Sequence, residues 1–187
     1  MNNLNSNLIR ERFLNTLLEI SDQVRDNSKS IDIIQVLKLI DIIIDVNSKG
    51  SRIFVYGAGR SGFIGRCFAQ RLMHLGIKSC FVSDAVTYRY GKEDLLVLIS
   101  GSGETTSPKA IAKEAKEIGG KIALFTGNLK SKIATLSDLT IKVEGKSKEK
   151  AILQDSLAPF TSLFDISTLS ILDSIGASLM VQLGITE

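Results

Sequence analysis

Five short runs of mostly apolar, β-branched or aromatic residues constrain the fold of this chain more than any other feature. They lie at 53–56, 79–82, 95–99, 122–125 and 139–143. A strand that is apolar on both faces must be covered on both sides, which is typical of a parallel sheet between helices. Helical patterns fill the gaps at about 62–74, 108–118 and 130–136. This alternation implies right-handed crossovers, so the sequence predicts a three-layer, doubly wound α/β fold with a five-stranded parallel sheet.

Helical patterns also precede and follow the predicted sheet. Residues 1–49 contain two amphipathic patterns with apolar spacings of three and four, separated by the polar stretch 27–30. Pro159 marks the start of a last helix with a long apolar stripe. A length of 187 residues without a linker fits one domain. The expected organisation is a single domain over 1–187, with a helical N-terminal extension over 1–49 and an α/β core with a C-terminal helix over 50–187.

Composition excludes several functional classes. Lys and Arg number 23 against 20 Asp and Glu, and the charges are interspersed, which argues against a nucleic-acid partner. Two cysteines and one histidine supply neither a disulfide framework nor a four-ligand zinc site, and Cys67 and Cys80 are expected to be buried thiols. The polar start of the chain is unlike a signal peptide, and no stretch approaches the ~20 apolar residues of a membrane helix. We therefore expect a cytoplasmic protein with no membrane partner and no metal.

Two glycine-rich turns carry the clearest chemical signal. The turn 57–62 follows the first strand and the turn 100–105 follows the third, and each leads into a helix. A doubly wound sheet opens its cleft where the strand order reverses, here between the first and third strands. Free backbone N–H groups, helix N-termini and hydroxyls suit such a cleft to a phosphate. The hydroxyls are those of Ser61, Ser100, Ser102, Thr105 and Thr106.

A dinucleotide site is the alternative interpretation of the first turn. Gly57, Gly59 and Gly62 satisfy G-x-G-x-x-G, and Asp84 closes the second strand roughly where a ribose-binding acid would lie. That pattern is weak by itself. The helical extension and the serine-rich second turn favour a phosphosugar, and binding of NADH without sugar phosphate would favour the dinucleotide.

Taken together, the two turns resemble the paired signatures of the sugar isomerase (SIS) domain. The motifs at 59–62 (Gly-Arg-Ser-Gly), 71–76 (Arg-Leu-Met-His-Leu-Gly) and 159–165 (Pro-Phe-Thr-Ser-Leu-Phe-Asp) further resemble the 6-phospho-3-hexuloisomerase family, nearly end to end. The resemblance implies a flavodoxin-like SIS domain, a homotetramer, and isomerisation of D-arabino-hex-3-ulose 6-phosphate to fructose 6-phosphate in the ribulose monophosphate pathway. It also implies that neither a metal nor a cofactor takes part.

The resemblance also implies roles for particular residues. Substrate binding falls to Gly59, Arg60, Ser61, Asp84, Ser100, Gly101, Ser102, Gly103, Glu104 and Thr105, and the catalytic acid is Asp165. Three positions depart from the family pattern: Asp165 and Asp84 replace glutamates, and Ala158 replaces a glutamine. Two alternatives therefore stay open, a noncatalytic SIS module that binds sugar phosphates and a SIS isomerase of another phosphosugar.

The proposed reaction needs little from the side chains. Moving a carbonyl from C3 to C2 requires one proton to leave C2 and one to reach C3 through an enediolate, and a single carboxylate can do both. Asp165 is the best candidate because it lies just inside a helix start and off the apolar stripe, although a first-turn acid also simply stabilises the helix dipole.

His74 is the only histidine and the second catalytic candidate. It lies about twelve residues beyond the first turn, roughly 18 Å along the same helix. It can therefore reach a phosphosugar only in a neighbouring subunit's site. Stabilisation of its own helix C-terminus is the alternative role.

Overall fold

All five predicted strands form, and they lie parallel in one sheet. The computed structural model describes residues 3–145 and 156–186. The strands are β1 (Ile53–Gly57), β2 (Ser79–Phe81), β3 (Leu95–Ile99), β4 (Lys121–Thr126) and β5 (Leu139–Lys142). Their order, β2-β1-β3-β4-β5, reverses between β1 and β3 as predicted.

Five helices surround the sheet in the described part of the chain. They are α1 (Asn3–Ser30), α2 (Ile33–Ser48), α3 (Arg60–His74), α4 (Thr106–Ile118) and α5 (Ser162–Leu183). Successive residues of β3 face opposite sides: Val97 packs in the core shared with α2, α3 and α5, whereas Leu96 and Leu98 pack in the core shared with α4. This two-sided burial confirms the three-layer, doubly wound fold.

The first two helices form as predicted, but the break between them is displaced. Residues 27–30 are helical and the interruption falls at 31–32. Asn27 is buried because its Nδ2 donates to the Glu144 carbonyl at 2.8 Å and its Oδ1 accepts from the Glu144 N–H at 2.7 Å. Asp32 starts α2 instead, since its carboxylate accepts from the N–H groups of Ile34 and Gln35.

The helix predicted at 130–136 is wrong apart from a short 3₁₀ turn, Ala134–Leu136. Polar side chains there bind the local backbone instead. Asn128 Oδ1 accepts from the Lys130 N–H at 3.1 Å, and Ser131 Oγ accepts from the Ala134 N–H at 3.3 Å. Such bonds compete with helical ones, which explains the difference.

Two expectations about apolar segments and cysteines need correction. By length and composition, α5 is one helix that could cross a membrane, which the sequence analysis did not anticipate. Its Leu172, Ile175 and Leu179 are buried in the main core, so packing accounts for part of this apolar composition. Cys67 is exposed and Cys80 half-buried, and both are free, so burial of both thiols was wrong.

Candidate functional site

A cavity of about 260 Å³ opens at the carboxyl ends of β1 and β3. The register pairs Gly57 with Ile99, so the turns that follow these two strands start side by side. The start of α5 closes the third side. The lining includes Ala58 and Ser61 from the first turn, Ser100, Gly101, Ser102 and Thr105 from the second, and Phe160, Thr161 and Phe164 near the start of α5. The volume is near the lower end for ligand sites, about 300 Å³, and suits a small ligand.

The second turn is held in shape by its own hydroxyls. Ser100 is buried, and its Oγ accepts from the Gly103 N–H at 3.2 Å and donates to Thr105 Oγ1 at 3.4 Å. Ser102 Oγ accepts from the Glu104 N–H at 3.2 Å. The long bonds among the hydroxyls leave them ready to rotate toward an acceptor in the cavity.

Gly103 fixes how closely this turn approaches the loop after β4. Its φ is +64°, a conformation that L side chains rarely adopt, and a Cβ atom there would lie 2.0 Å from Ser131 Oγ. Only glycine therefore fits this position.

Three helices begin at the cavity with no side-chain cap. The N-cap residues Gly59, Thr105 and Thr161, of α3, α4 and α5, make no capping hydrogen bond through a side chain. Their first N–H groups and aligned dipoles favour an anion. Arg60, with 59% of its side chain exposed, stands at the start of α3, and its charge is paired with the Asp165 carboxylate at 3.0 Å.

Asp165 connects the starts of α3 and α5. It is 2% exposed and accepts three hydrogen bonds, from Arg60 Nε at 3.0 Å, Ser61 Oγ at 3.1 Å and Thr161 Oγ1 at 2.7 Å. The carboxylate is not among the groups that line the cavity, but Ser61 and Thr161 are. Asp165 therefore contacts the lining of the cavity through the hydroxyls of Ser61 and Thr161.

Three other candidate residues lie away from the described lining of the cavity. Glu104 Oε1 accepts from the Lys132 N–H at 2.8 Å. Asp84 forms an ion pair of 3.0 Å with Arg66, and both side chains are substantially exposed. His74 is the exposed last residue of α3, about 21 Å from its first at 1.5 Å per residue. In this chain alone, His74 and Asp165 do not share a site.

Phe160, Thr161 and Phe164 are lining residues that the sequence analysis did not assign. The motif 159–165 contained the signal, but only Asp165 received a role from it. Thr161 has a φ of 66°, rare outside glycine, and this conformation accompanies its short bond to Asp165. No cluster of His, Cys, Asp or Glu that could hold a metal occurs in the residues described.

Comparisons with known proteins agree with this architecture. The SIS domain model matches residues 47–171. The 3-hexulose-6-phosphate isomerase of Methanocaldococcus jannaschii is 44% identical over 79% of this chain and 78% of its own length. The crystal structure of a hypothetical protein from Methanococcus jannaschii, interpreted as implying the same isomerase function, matches with a TM-score of 0.76 and 37% identity over 89% of this chain and 90% of that chain.

A ligand complex also shares the fold. The structure of a ligand-bound protein from Escherichia coli CFT073 matches with a TM-score of 0.80 and 26% identity, over 100% of this chain and 96% of that chain. The family match and the 44% identity cover most of the chain. This chain belongs to the SIS domain family, with the 3-hexulose-6-phosphate isomerases among its relatives.

Proposed function

We propose that this protein is a 3-hexulose-6-phosphate isomerase, which converts D-arabino-hex-3-ulose 6-phosphate into fructose 6-phosphate in the ribulose monophosphate pathway. The observation that carries the proposal is the cavity at three uncapped helix N-termini, with the buried Asp165 carboxylate behind its hydroxyls. The 44% identity to an isomerase of that name supports the substrate.

The phosphate is proposed to bind the turn 100–105 and the N-terminus of α4, with Ser61 on the opposite wall. A 3-ketose whose 6-hydroxyl is esterified cannot close a five-membered ring, so no acid is needed to open one. Binding energy from the phosphate, which does not react, holds C2 and C3 in place. This division of labour explains how a small set of side chains can suffice.

Asp165 is the proposed base. It takes the proton from C2, which gives an enediolate, the hydroxyl proton on O2 passes to O3, and Asp165 returns its proton to C3 as the carbonyl forms at C2. A hydroxyl has one proton, so a substrate oxygen that accepts from Ser61 takes that hydrogen bond from Asp165 Oδ1. Oδ1 then becomes free to accept the substrate proton, whereas Arg60 and Thr161 stay bound to Oδ2. Arg60 keeps the carboxylate in place during the exchange.

The arrangement of subunits forms a second part of the proposal. Apolar side chains of α1 are more than half exposed, namely Leu8, Ile9, Phe13, Leu17 and Leu18. Such a surface favours association, and we assign the protein as a cytoplasmic homotetramer. In it, His74 of one subunit reaches the cavity of another.

The test is turnover of hexulose 6-phosphate by the purified protein, with fructose 6-phosphate production coupled to a dehydrogenase. We expect turnover without added metal or cofactor. Absent turnover with micromolar binding of fructose 6-phosphate would instead support a noncatalytic sugar-phosphate module. The noncatalytic module is the second candidate because the Asp165 carboxylate accepts three hydrogen bonds, and these bonds also serve to hold the starts of α3 and α5 together. Turnover of a different phosphosugar alone would reassign the substrate.

A further inference from the structure

Glu19, in the middle of α1, is bound to the segment that leads into α5. Its Oε1 accepts from Ser156 Oγ at 2.8 Å, and its Oε2 accepts from the N–H groups of Leu157 and Ala158, both at 2.8 Å. Hydrogen bonds to an ionised carboxylate are stronger than neutral ones. We call residues 156–161 the strap.

Two further α1 side chains bind the same part of the strap. Arg12 Nη2 donates to the Leu157 carbonyl at 2.9 Å, and Thr16 Oγ1 contacts the same oxygen at 3.5 Å. Both polar backbone groups of Leu157 are therefore fixed to α1. The helical extension thus holds a piece of irregular backbone that lies next to the cavity.

The strap reaches the cavity within three residues of this anchor. Phe160 and Thr161 line the cavity, and Thr161 Oγ1 donates to Asp165 at 2.7 Å. Pro159 restricts the backbone between the anchored Ala158 and the lining residue Phe160. The Pro159 carbonyl accepts from the Ser162 N–H at 3.0 Å. A chain this short and constrained transmits a displacement of residues 157–158 to Phe160 and Thr161.

We propose that Glu19 is a positioning residue for the phosphosugar site. It is not among the residues that line the cavity, and it acts through the backbone of the strap by setting where Phe160 and the Thr161 hydroxyl lie. The kinetic part of this inference rests on the proposed isomerase function. It assigns to the N-terminal extension a role in the chemistry of the α/β core.

The test compares three variants of the full chain. Glu19→Met keeps the length of the side chain but removes all acceptor oxygens, so the Leu157 and Ala158 N–H groups lose their partner. Glu19→Gln keeps one acceptor and is expected to restore most of the function. Glu11→Met makes the same change at an exposed α1 position whose side chain makes no hydrogen bond among the described residues.

A misplacement of about 1 Å can cost on the order of a hundredfold in rate, so we expect kcat/KM of Glu19→Met to fall tenfold to a hundredfold. Most of the loss should appear in kcat, because the phosphate anchor at 100–105 is untouched, and a smaller part should appear in affinity, because Phe160 and Thr161 line the cavity. Hydrogen exchange of the Leu157 and Ala158 amides should accelerate in Glu19→Met and remain near wild type in Glu11→Met. If Glu19→Met does not fold, the comparison rests on Glu19→Gln with Ser156→Ala, which together weaken the anchor.

The outcomes separate this inference from the isomerase proposal. A wild-type protein without turnover overturns the isomerase proposal, and the strap is then judged by amide exchange and by the affinity for fructose 6-phosphate, which should fall in Glu19→Met. Unchanged exchange in that variant overturns the anchor. The positioning role is overturned if amide exchange accelerates in Glu19→Met while its kcat/KM and its affinity for fructose 6-phosphate equal those of Glu11→Met.

Discussion

Asp165 is the proposed base, and its hydrogen bonds also connect the starts of α3 and α5. Substitution can separate the catalytic role from the structural one. In Asp165→Asn the amide can still accept one hydrogen bond, and the Ser61 or Thr161 hydroxyl can turn to accept from its NH₂ group. We therefore expect a stability loss of only about 1–2 kcal/mol. Turnover should fall by about 10²–10⁴, the usual contribution of a general base. Coupled kinetics and thermal unfolding measure these two quantities, and calorimetry should show fructose 6-phosphate affinity near that of the wild type, since the proposed phosphate ligands are unchanged.

Asp165→Glu is the matched control, because it retains the carboxylate and adds one methylene group. The site is buried, so the longer side chain should cost about 1–3 kcal/mol in overpacking. Activity should be retained or raised. If Asp165→Asn keeps most of the wild-type rate, the base is another group, and Asp84 and the neighbouring subunit's His74 are the next residues to substitute.

The hydroxyls of the second turn are the proposed phosphate ligands. Ser102→Ala and Thr105→Val each remove one hydrogen bond to a charged group, which is worth about 1.5–3 kcal/mol, or roughly tenfold to a hundredfold in affinity. Calorimetry with fructose 6-phosphate measures the loss, and Ser107→Ala, at an exposed position in the first turn of α4 that does not line the cavity, is the control. Two variants with wild-type affinity would place the phosphate elsewhere.

At the residue scale, the sequence shows which functional groups lie near the cleft better than it shows which residues contact one another. The hydroxyls of Ser61, Ser100, Ser102 and Thr105 could be predicted because glycine-rich turns after two strands must open at one edge of a sheet. The burial of Asp165 could not, since it depends on Arg60 and Thr161 meeting it from two helices far apart in the chain. Glu19 gave no signal because its partners are mostly backbone groups.

At the element scale, strands were predicted more reliably than helix boundaries. A strand that is apolar on both faces has few alternatives, so β1 and β3–β5 formed within a residue or two of the predicted positions. Helices near polar turns depend on competition between side chains and backbone. The side chains of Asn128 and Ser131 bind nearby backbone groups, and no α-helix forms there. The side chain of Asn27 instead binds the Glu144 carbonyl, and α1 continues through this residue.

The second turn as a unit depends on Gly103, and we predict that Gly103→Ala damages it. Positive φ costs an L-residue roughly 1–2 kcal/mol, and the clash with Ser131 adds about 1–3 kcal/mol. Gly119→Ala is the control, because Gly119 also has a positive φ, +91°, but an added Cβ would meet nothing within 4 Å. Urea unfolding should show a larger loss for Gly103→Ala, together with weaker fructose 6-phosphate binding. Equal losses in both variants would show that the close approach to Ser131 has no cost.

At the scale of the whole molecule, α1 has two roles. It packs on α5 and binds the strap, and it also exposes apolar side chains such as Phe13, at 66%, which lines a surface groove beside the strap residues Leu157 and Pro159. An apolar surface on a helix that also anchors the cavity wall would couple subunit association to the geometry of the site. In the proposed homotetramer, the contacts between subunits would then be part of the catalytic unit.

The last prediction tests whether His74 acts in a neighbouring subunit. His74→Gln and Asp165→Asn are each expected to lose most activity as pure proteins. In a mixed oligomer, an Asp165 of one subunit can meet an intact His74 of another. Random mixing of equal amounts should restore about one quarter of the sites. A complete site needs a His74→Gln subunit to supply Asp165 and an Asp165→Asn neighbour to supply His74, and each condition is met about half of the time.

The mixture is prepared by coexpressing the two variants with different affinity tags, purifying on both tags in turn, and measuring turnover per subunit. Mixing the separately purified variants without exchange of subunits is the control and should remain inactive. Recovery in the coexpressed protein can come only from sites assembled between chains, because neither variant carries both groups. If the mixed oligomer and His74→Gln alone are both inactive, His74 acts within its own chain. The length of α3, about 21 Å from Arg60 to His74, makes that arrangement difficult. Full activity of His74→Gln alone would leave the histidine with the simpler task of stabilising the C-terminus of α3.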